Sequence, residues 1–246
     1  MGLPIIKSPK YDLVIPSTKQ KVKFRPFLVK EEKVLLMAAE SKNQKQVVNA
    51  LRDVIGACVD FGKDKKVDIM SLPTFDLQYI FLQLRSKSVG EQVELTLQCP
   101  SCKGVNKTSV DLSLVEINYP EGHKTEIQLS DEVGVVMRYP TFEMLDSVQS
   151  LDTSDISSVI ELIVICIDKI YDAENIYTRK EYSNDDFTEF VYSLTQSNLE
   201  DMQVFFNTMP NMEHEISFNC EHCDKEEKVI LRGIEDFFTS GSHTSP

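Results

Sequence analysis

Two Cys-x-x-Cys pairs constrain this chain more than any other feature: Cys99-Pro100-Ser101-Cys102 and, more than a hundred residues later, Cys220-Glu221-His222-Cys223. Val93, Leu95 and Leu97 alternate with polar residues before the first pair, and Ile216 and Phe218 do the same before the second. Period-two alternation predicts a strand ahead of each pair. A polar turn follows each (Lys103 to Lys107; Asp224 to Lys228), and then a second apolar run (Val110, Leu112, Leu114; Val229, Leu231). Each pair is therefore expected at the tip of a β-hairpin, where Pro100 and Gly104 suit a tight turn. Two such tips facing each other supply the closed tetrahedral thiolate shell of a structural zinc ribbon. The expected cofactor is one structural Zn2+ held by Cys99, Cys102, Cys220 and Cys223.

A redox dithiol, a rubredoxin-like iron site and two local disulfides compete with zinc. Neither pair sits in a thioredoxin-like βαβ context, which favours the metal. Zinc is preferred, and iron stays open because it takes the same four ligands. His222, between the cysteines of its pair, reads as a solvated turn residue pointing away from the ion. Cys58 and Cys166 read as small buried apolar side chains.

Six cysteines without an export signal fit a reducing compartment. Met1 to Ser8 lacks the basic-then-apolar order of a signal peptide, and the longest apolar run, Val159 to Ile167, is interrupted by Glu161 and is too short to span a bilayer. No membrane partner and a cytoplasmic location are expected. The 246 residues allow one or two domains. Lys and Arg total 26 against 39 Asp and Glu, a formal charge of −13. That balance argues against nucleic acid, the usual ligand of many zinc ribbons, because phosphate neutralisation needs a basic face. Lys19, Lys21, Lys23 and Arg25 form a local basic run, read as the solvent face of a strand.

Much the same order of features occurs twice. Val22-Lys23-Phe24-Arg25-Pro26 is echoed by Val136-Met137-Arg138-Tyr139-Pro140, each a strand followed by a helix. Helices are predicted over Val29 to Ser41 and Gln46 to Phe61, and Ile156 to Tyr171 matches the latter, with Cys166-Ile167-Asp168 against Cys58-Val59-Asp60. Leu77, Ile80, Phe81 and Leu84, on a helix capped by Thr74, share their i, i+3, i+4, i+7 spacing with Phe187, Phe190, Val191 and Leu194, on a helix capped by Ser183. A strand and a cysteine pair close both series, and the second carries one extra helix, Asn198 to Met209. The expected fold is α+β and mostly helical, with two duplicated halves, each ending in a zinc-knuckle β-hairpin, and the two hairpins pairing as a four-cysteine zinc ribbon. The first half is 1–120, the second 121–238, and 239–246 a disordered tail; the halves form one compact unit. Zinc would then clamp the halves together.

Catalytic signatures are missing. The sequence contains no glycine-rich phosphate loop, no Gly-x-Ser-x-Gly elbow and no His-Glu-x-x-His. Its four histidines (His123, His214, His222, His243) include no pair at helical ligand spacing, and the acid groups Asp185, Asp186, Glu189 and Asp152, Asp155 lie at helix starts where the dipole accounts for them. Arg25 and Arg138, each following a strand, are read as partners of nearby carboxylates. Met202, Phe205, Phe206, Met209 and Met212 have two readings, an adaptable docking surface or ordinary core packing. The chain is expected not to be an enzyme.

Residues 23–41 (Lys-Phe-Arg-Pro-Phe-Leu-Val-Lys-Glu-Glu-Lys-Val-Leu-Leu-Met-Ala-Ala-Glu-Ser), 82–90, 134–140 and Thr208-Met209-Pro210, with both cysteine pairs, resemble the baseplate hub assembly proteins of T-even-type contractile-tailed phages. The resemblance covers nearly the whole chain. It implies a non-enzymatic assembly factor or chaperone for the central hub, binding a hub or tape-measure-type component among the baseplate hub and tail proteins. It places the chain in the host cytoplasm during tail assembly or in the virion baseplate. The alternative is a permanent structural subunit of the hub. A zinc-ribbon nucleic-acid protein or nuclease is disfavoured by the charge and by the missing acid cluster.

Overall fold

A computed structural model describes residues 6–41, 43–62, 68–147 and 155–233. The chain falls into two compact units. The first joins Met1–Asn118 to Asn211–Pro246, and the second is Tyr119–Pro210.

In the first unit, β1 (Tyr11–Val14) and β2 (Lys21–Phe24) form the predicted hairpin, with Tyr11 opposite Phe24. Leu13, Val22 and Phe24 turn inward while Lys21 and Lys23 stay exposed, as a two-residue period requires. Helices α1 (Val29–Glu40) and α2 (Gln44–Cys58) follow; α2 stops at Cys58, where the chain straightens into β3 (Val59–Asp60) and pairs with β2. Helix α3 (Thr74–Val89) begins after Pro73, whose fixed φ pre-shapes the entry, so Thr74 is its first residue rather than its cap. It buries Phe75, Leu77, Ile80, Leu82 and Leu84. The hairpin of β4 (Gln92–Gln98) and β5 (Val105–Asp111) comes next, then β6 (Ile117–Asn118).

The second unit opens with β7 (Glu126–Gln128) and β8 (Gly134–Met137), continues through α4 (Phe142–Ser147) and α5 (Ile156–Cys166) into β9 (Ile167–Tyr171), and ends with β10 (Ile176–Thr178), α6 (Asn184–Tyr192) and α7 (Gln196–Thr208). Its sheet has the order β10-β9-β8-β7. Val135, Met137, Ile163, Ile167, Phe187, Val191, Met202 and Phe205 make its core. Met202 and Phe205 are therefore interior, Phe206 packs against them, and Met212 belongs to the core of the first unit. For Met202, Phe205, Phe206 and Met212 the docking-surface reading gives way to core packing.

The chain then returns to the first unit as β11 (Asn211–Asn219) and β12 (Glu226–Arg232), with β11 also paired to β6. The second cysteine hairpin thus lies in the same unit as the first. Leu95, Leu97, Val110 and Leu112 from one hairpin meet Ile216, Val229 and Leu231 from the other, with Leu82 of α3.

The expectation of a mostly helical chain is incorrect. Among the described residues, twelve strands in four antiparallel sheets accompany seven α-helices. The predicted helices to Phe61 and Tyr171 each end in a strand, and β7 and β10 are three-residue edge strands, too short for a strong alternating signal. Nor do the two cysteine hairpins pair strand to strand: β4-β5 is a sheet by itself, and β11 and β12 belong to β12-β11-β6. The tail 239–246 lies outside the described residues, as do Asp152 and His243.

The strand-to-helix repeat takes a concrete form. The Arg25 N–H donates to the Cys58 carbonyl at 3.0 Å, and the Arg138 N–H to the Cys166 carbonyl at 2.7 Å. Their guanidinium groups reach the carbonyl one residue earlier, Ala57 at 3.1 Å and Ile165 at 2.9 Å. Each arginine therefore serves the carbonyl end of a helix, where a cation is favoured. Arg25 also pairs with the buried carboxylate of Glu31 at 2.9 Å, as expected of it, whereas Arg138 has no ion pair among the described residues.

Candidate metal centre

All four sulfurs of Cys99, Cys102, Cys220 and Cys223 lie within 4.8 Å of one another. Cys99 faces Cys223 at 3.8 Å and Cys102 faces Cys220 at 3.5 Å. Four thiolates at about 2.3 Å from a zinc ion stand roughly 3.8 Å apart at the corners of a tetrahedron. The spacing fits. Both close approaches run between the two hairpins, and all six cysteines are free thiols, which removes the reading of two local disulfides.

The two tips fold alike. Cys99 N–H donates to the Gly104 carbonyl and Lys103 N–H to the Cys99 carbonyl; Cys220 N–H and Asp224 N–H make the same pair of bonds to Lys225 and Cys220. Lys103 and Asp224, each directly after the second cysteine of its pair, take positive φ of 62° and 58°. The tight turn at each tip brings backbone N–H groups onto sulfur. Cys102 N–H points at Cys99 Sγ, Gly104 N–H at Cys102 Sγ and His222 N–H at Cys220 Sγ, each at 3.4 Å. Such bonds stabilise thiolates and orient them as ligands. Burial pushes the Cys220 thiol up, but the N–H groups of His222 and Cys223 and the Cys102 and Asn106 side chains outweigh it and bring it down to about 6.

Side chains between the cysteines latch the tips together. The buried amide of Asn106 on β5 donates to the Gly104 carbonyl at 3.0 Å and accepts the Glu221 N–H at 2.8 Å. His222 reaches across to the Val105 carbonyl, with Nε2 2.9 Å from it. Its ring lies so close over Gly104 that a Cβ there would collide with it, so glycine is needed for close approach and not for an unusual φ. His222 is thus a cross-hairpin contact, with its Nε2 engaged at the Val105 carbonyl, rather than a free turn residue. Sequence reasoning passed over Asn106 altogether. Its signal was a lone asparagine in an alternating strand, which is too weak to read.

Cys58 and Cys166 are buried, and burial pushes both thiols up, Cys166 to about 12, so neither is a reactive thiolate. His123 is fixed between Thr208 Oγ1 and Tyr139 Oη, each at 3.0 Å, and packs against the Phe205 ring. Burial lowers its pKa, and its two hydrogen bonds and ring contacts make it a structural imidazole. Asp186 belongs to the α6 capping box with Ser183, and Asp155 caps α5. No other group of three or more potential ligands occurs among the described residues.

Residues 8–239 match the family model of the T4 bacteriophage base plate protein. The chain belongs to that family. No curated protein and no solved structure matches it. The base plate match spans both units, so the four-cysteine centre and the acidic unit are parts of one base plate protein. A base plate role brings with it contacts to other baseplate or tail proteins and a place in the virion tail or its assembly. No helix among the described residues is long and apolar enough to cross a membrane.

Proposed function

We propose that this base plate protein is a non-enzymatic assembly factor for the central hub, which holds a hub or tape-measure-type component through protein contacts while the tail is built. The family match over nearly the whole chain is the observation that carries this reading. Its geometry is in keeping with it. The one cluster of metal-ligating side chains among the described residues has four thiol ligands, and a zinc ion there has a closed shell with no open position for substrate. Cys99, Cys102, Cys220 and Cys223 would hold one Zn2+, whose contribution is to tie two hairpins together rather than to activate water.

Quantitative mass spectrometry of purified particles beside infected-cell lysate tests the proposal. Peptides of this chain abundant in lysate and missing from particles are expected of a factor that leaves. A fixed copy number per particle would establish a permanent hub subunit instead.

A further inference from the structure

The two units differ sharply in charge. Tyr119–Pro210 contains five Lys and Arg against eighteen Asp and Glu, whereas the rest of the chain contains twenty-one of each. The whole formal charge of −13 therefore belongs to the second unit. That unit also has an open cleft of about 490 Å³ between its sheet and α6. The cleft floor is apolar, made by Ile170, Phe187 and Phe190. Three tyrosines, Tyr171, Tyr177 and Tyr182, line its sides, with Tyr177 and Tyr182 edge to face at 5.5 Å and Tyr182 exposed.

Three carboxylates border these rings. Asp172 is held by the Tyr177 hydroxyl at 2.6 Å and by the N–H groups of Glu174 and Asn175, which keep it well ionised, and Asp186 is held in the α6 cap. Glu189 is exposed, and among the described residues its carboxylate has no hydrogen bond or ion pair. No Lys or Arg lines the cleft. Arg179 lies 4.5 Å from the Phe187 ring centre, but its donors go to the carbonyls of Ile167 and Val164 and to Asn184.

We propose that this cleft is a docking site for a basic, amphipathic segment of a partner protein, with an apolar anchor on Phe187 and Phe190 and a Lys or Arg over the tyrosines. The proposal rests on the assembly-factor reading and deepens it by giving the partner's chemistry. Aromatic faces attract a cation, and three carboxylates without a compensating base strengthen that attraction and steer its approach. An apolar floor ringed by charge is the arrangement in which a buried anchor carries affinity and the rim carries specificity. Nucleic acid is repelled by the same charges. A second copy would bring either another acidic unit or a unit of balanced charge.

The test uses the full chain loaded with Zn2+ and a labelled helical peptide with Lys and Arg on one face and Leu and Phe on the other, read by fluorescence anisotropy. The wild-type chain is expected to bind it, more weakly as salt rises, and Glu189→Lys combined with Tyr182→Ala to bind at least about tenfold more weakly. Both substituted side chains are exposed, so the fold should persist, with circular dichroism as the check. Asp201→Lys, equally acidic in origin but on α7 outside this cleft, should bind like wild type. Equal binding by all three chains would mean diffuse acidity and overturn the proposal, as would no binding by wild type. A wild-type dimer that the double variant dissociates would show a second copy in the cleft and overturn it too. These outcomes leave the assembly-factor reading untouched, since the particle and lysate comparison decides that separately.

Discussion

At Asn106 one buried amide serves both cysteine hairpins, donating to Gly104 and accepting from Glu221. Asn106→Ala removes both bonds; the Gly104 carbonyl keeps the Cys99 N–H, but the Glu221 N–H loses its partner, at a cost of about 1–3 kcal/mol. Its effect on the metal should be larger than its distance from the sulfurs suggests, because groups that orient ligands typically matter about 10–100-fold in affinity. Competition with a chromophoric chelator checks this, and wild-type affinity would count against the latch. Gly104→Ala should act in the same direction through the collision with His222.

Asp76 gives a second prediction at this scale. It is fully buried, accepts the Ser17 N–H at 2.9 Å and the Ser17 hydroxyl, and burial raises its pKa above the ordinary value despite those bonds. The folded state therefore holds this proton to higher pH than the unfolded chain does. Stability from this group is present below the unfolded pKa and declines as pH rises through the window up to the raised value. Asp76→Asn should flatten that part of the stability curve. Urea titrations at a series of pH values from acid to neutral are the measurement, and an unchanged slope would assign the dependence elsewhere.

At the scale of elements, Arg25 and Arg138 were singled out for following matched strands, and each proves to hold a helix end against the strand beside it. The expected carboxylate is present for Arg25, and among the described residues Arg138 has none. Arg138→Met should therefore cost about 1–3 kcal/mol through the uncapped Ile165 carbonyl, largely independent of salt, which thermal melts at low and high ionic strength would show. Sequence periodicity identified these helices and not where they stop. Ile167 and Ile170 continue an apolar pattern that helix and strand share over a short run, and β8, distant in sequence, decides in favour of the strand. The cysteine tips were far more legible, because two thiols at fixed spacing between alternating runs admit few local geometries.

For the whole molecule, the decisive pairing is Asn118 with Asn211, which brings two distant points of the chain side by side and makes everything between them a separate unit. Nothing in either residue announces it. The partition of charge followed from that pairing and was hidden with it. It also bears on what a metal here would tie together: the cysteines come from distant parts of the sequence, and all four sulfurs belong to one unit. Chelation should strip hydrogen-exchange protection from β4, β5, β11 and β12 while β7, β8 and β9 keep theirs. Equal loss across all three sheets would show a bound metal to be a global element.

Cys99 and Cys223 are 124 residues apart. A ribosome adding about 5–20 residues per second takes roughly 6–25 s to make the second after the first. For that interval the first pair of thiols waits without its partners while the acidic unit is synthesised and begins to fold. The centre can close only on a chain translated past Cys223, so prematurely terminated products lack the latch and carry an open hairpin. A metal held by all four sulfurs would in this sense mark a chain translated past Cys223.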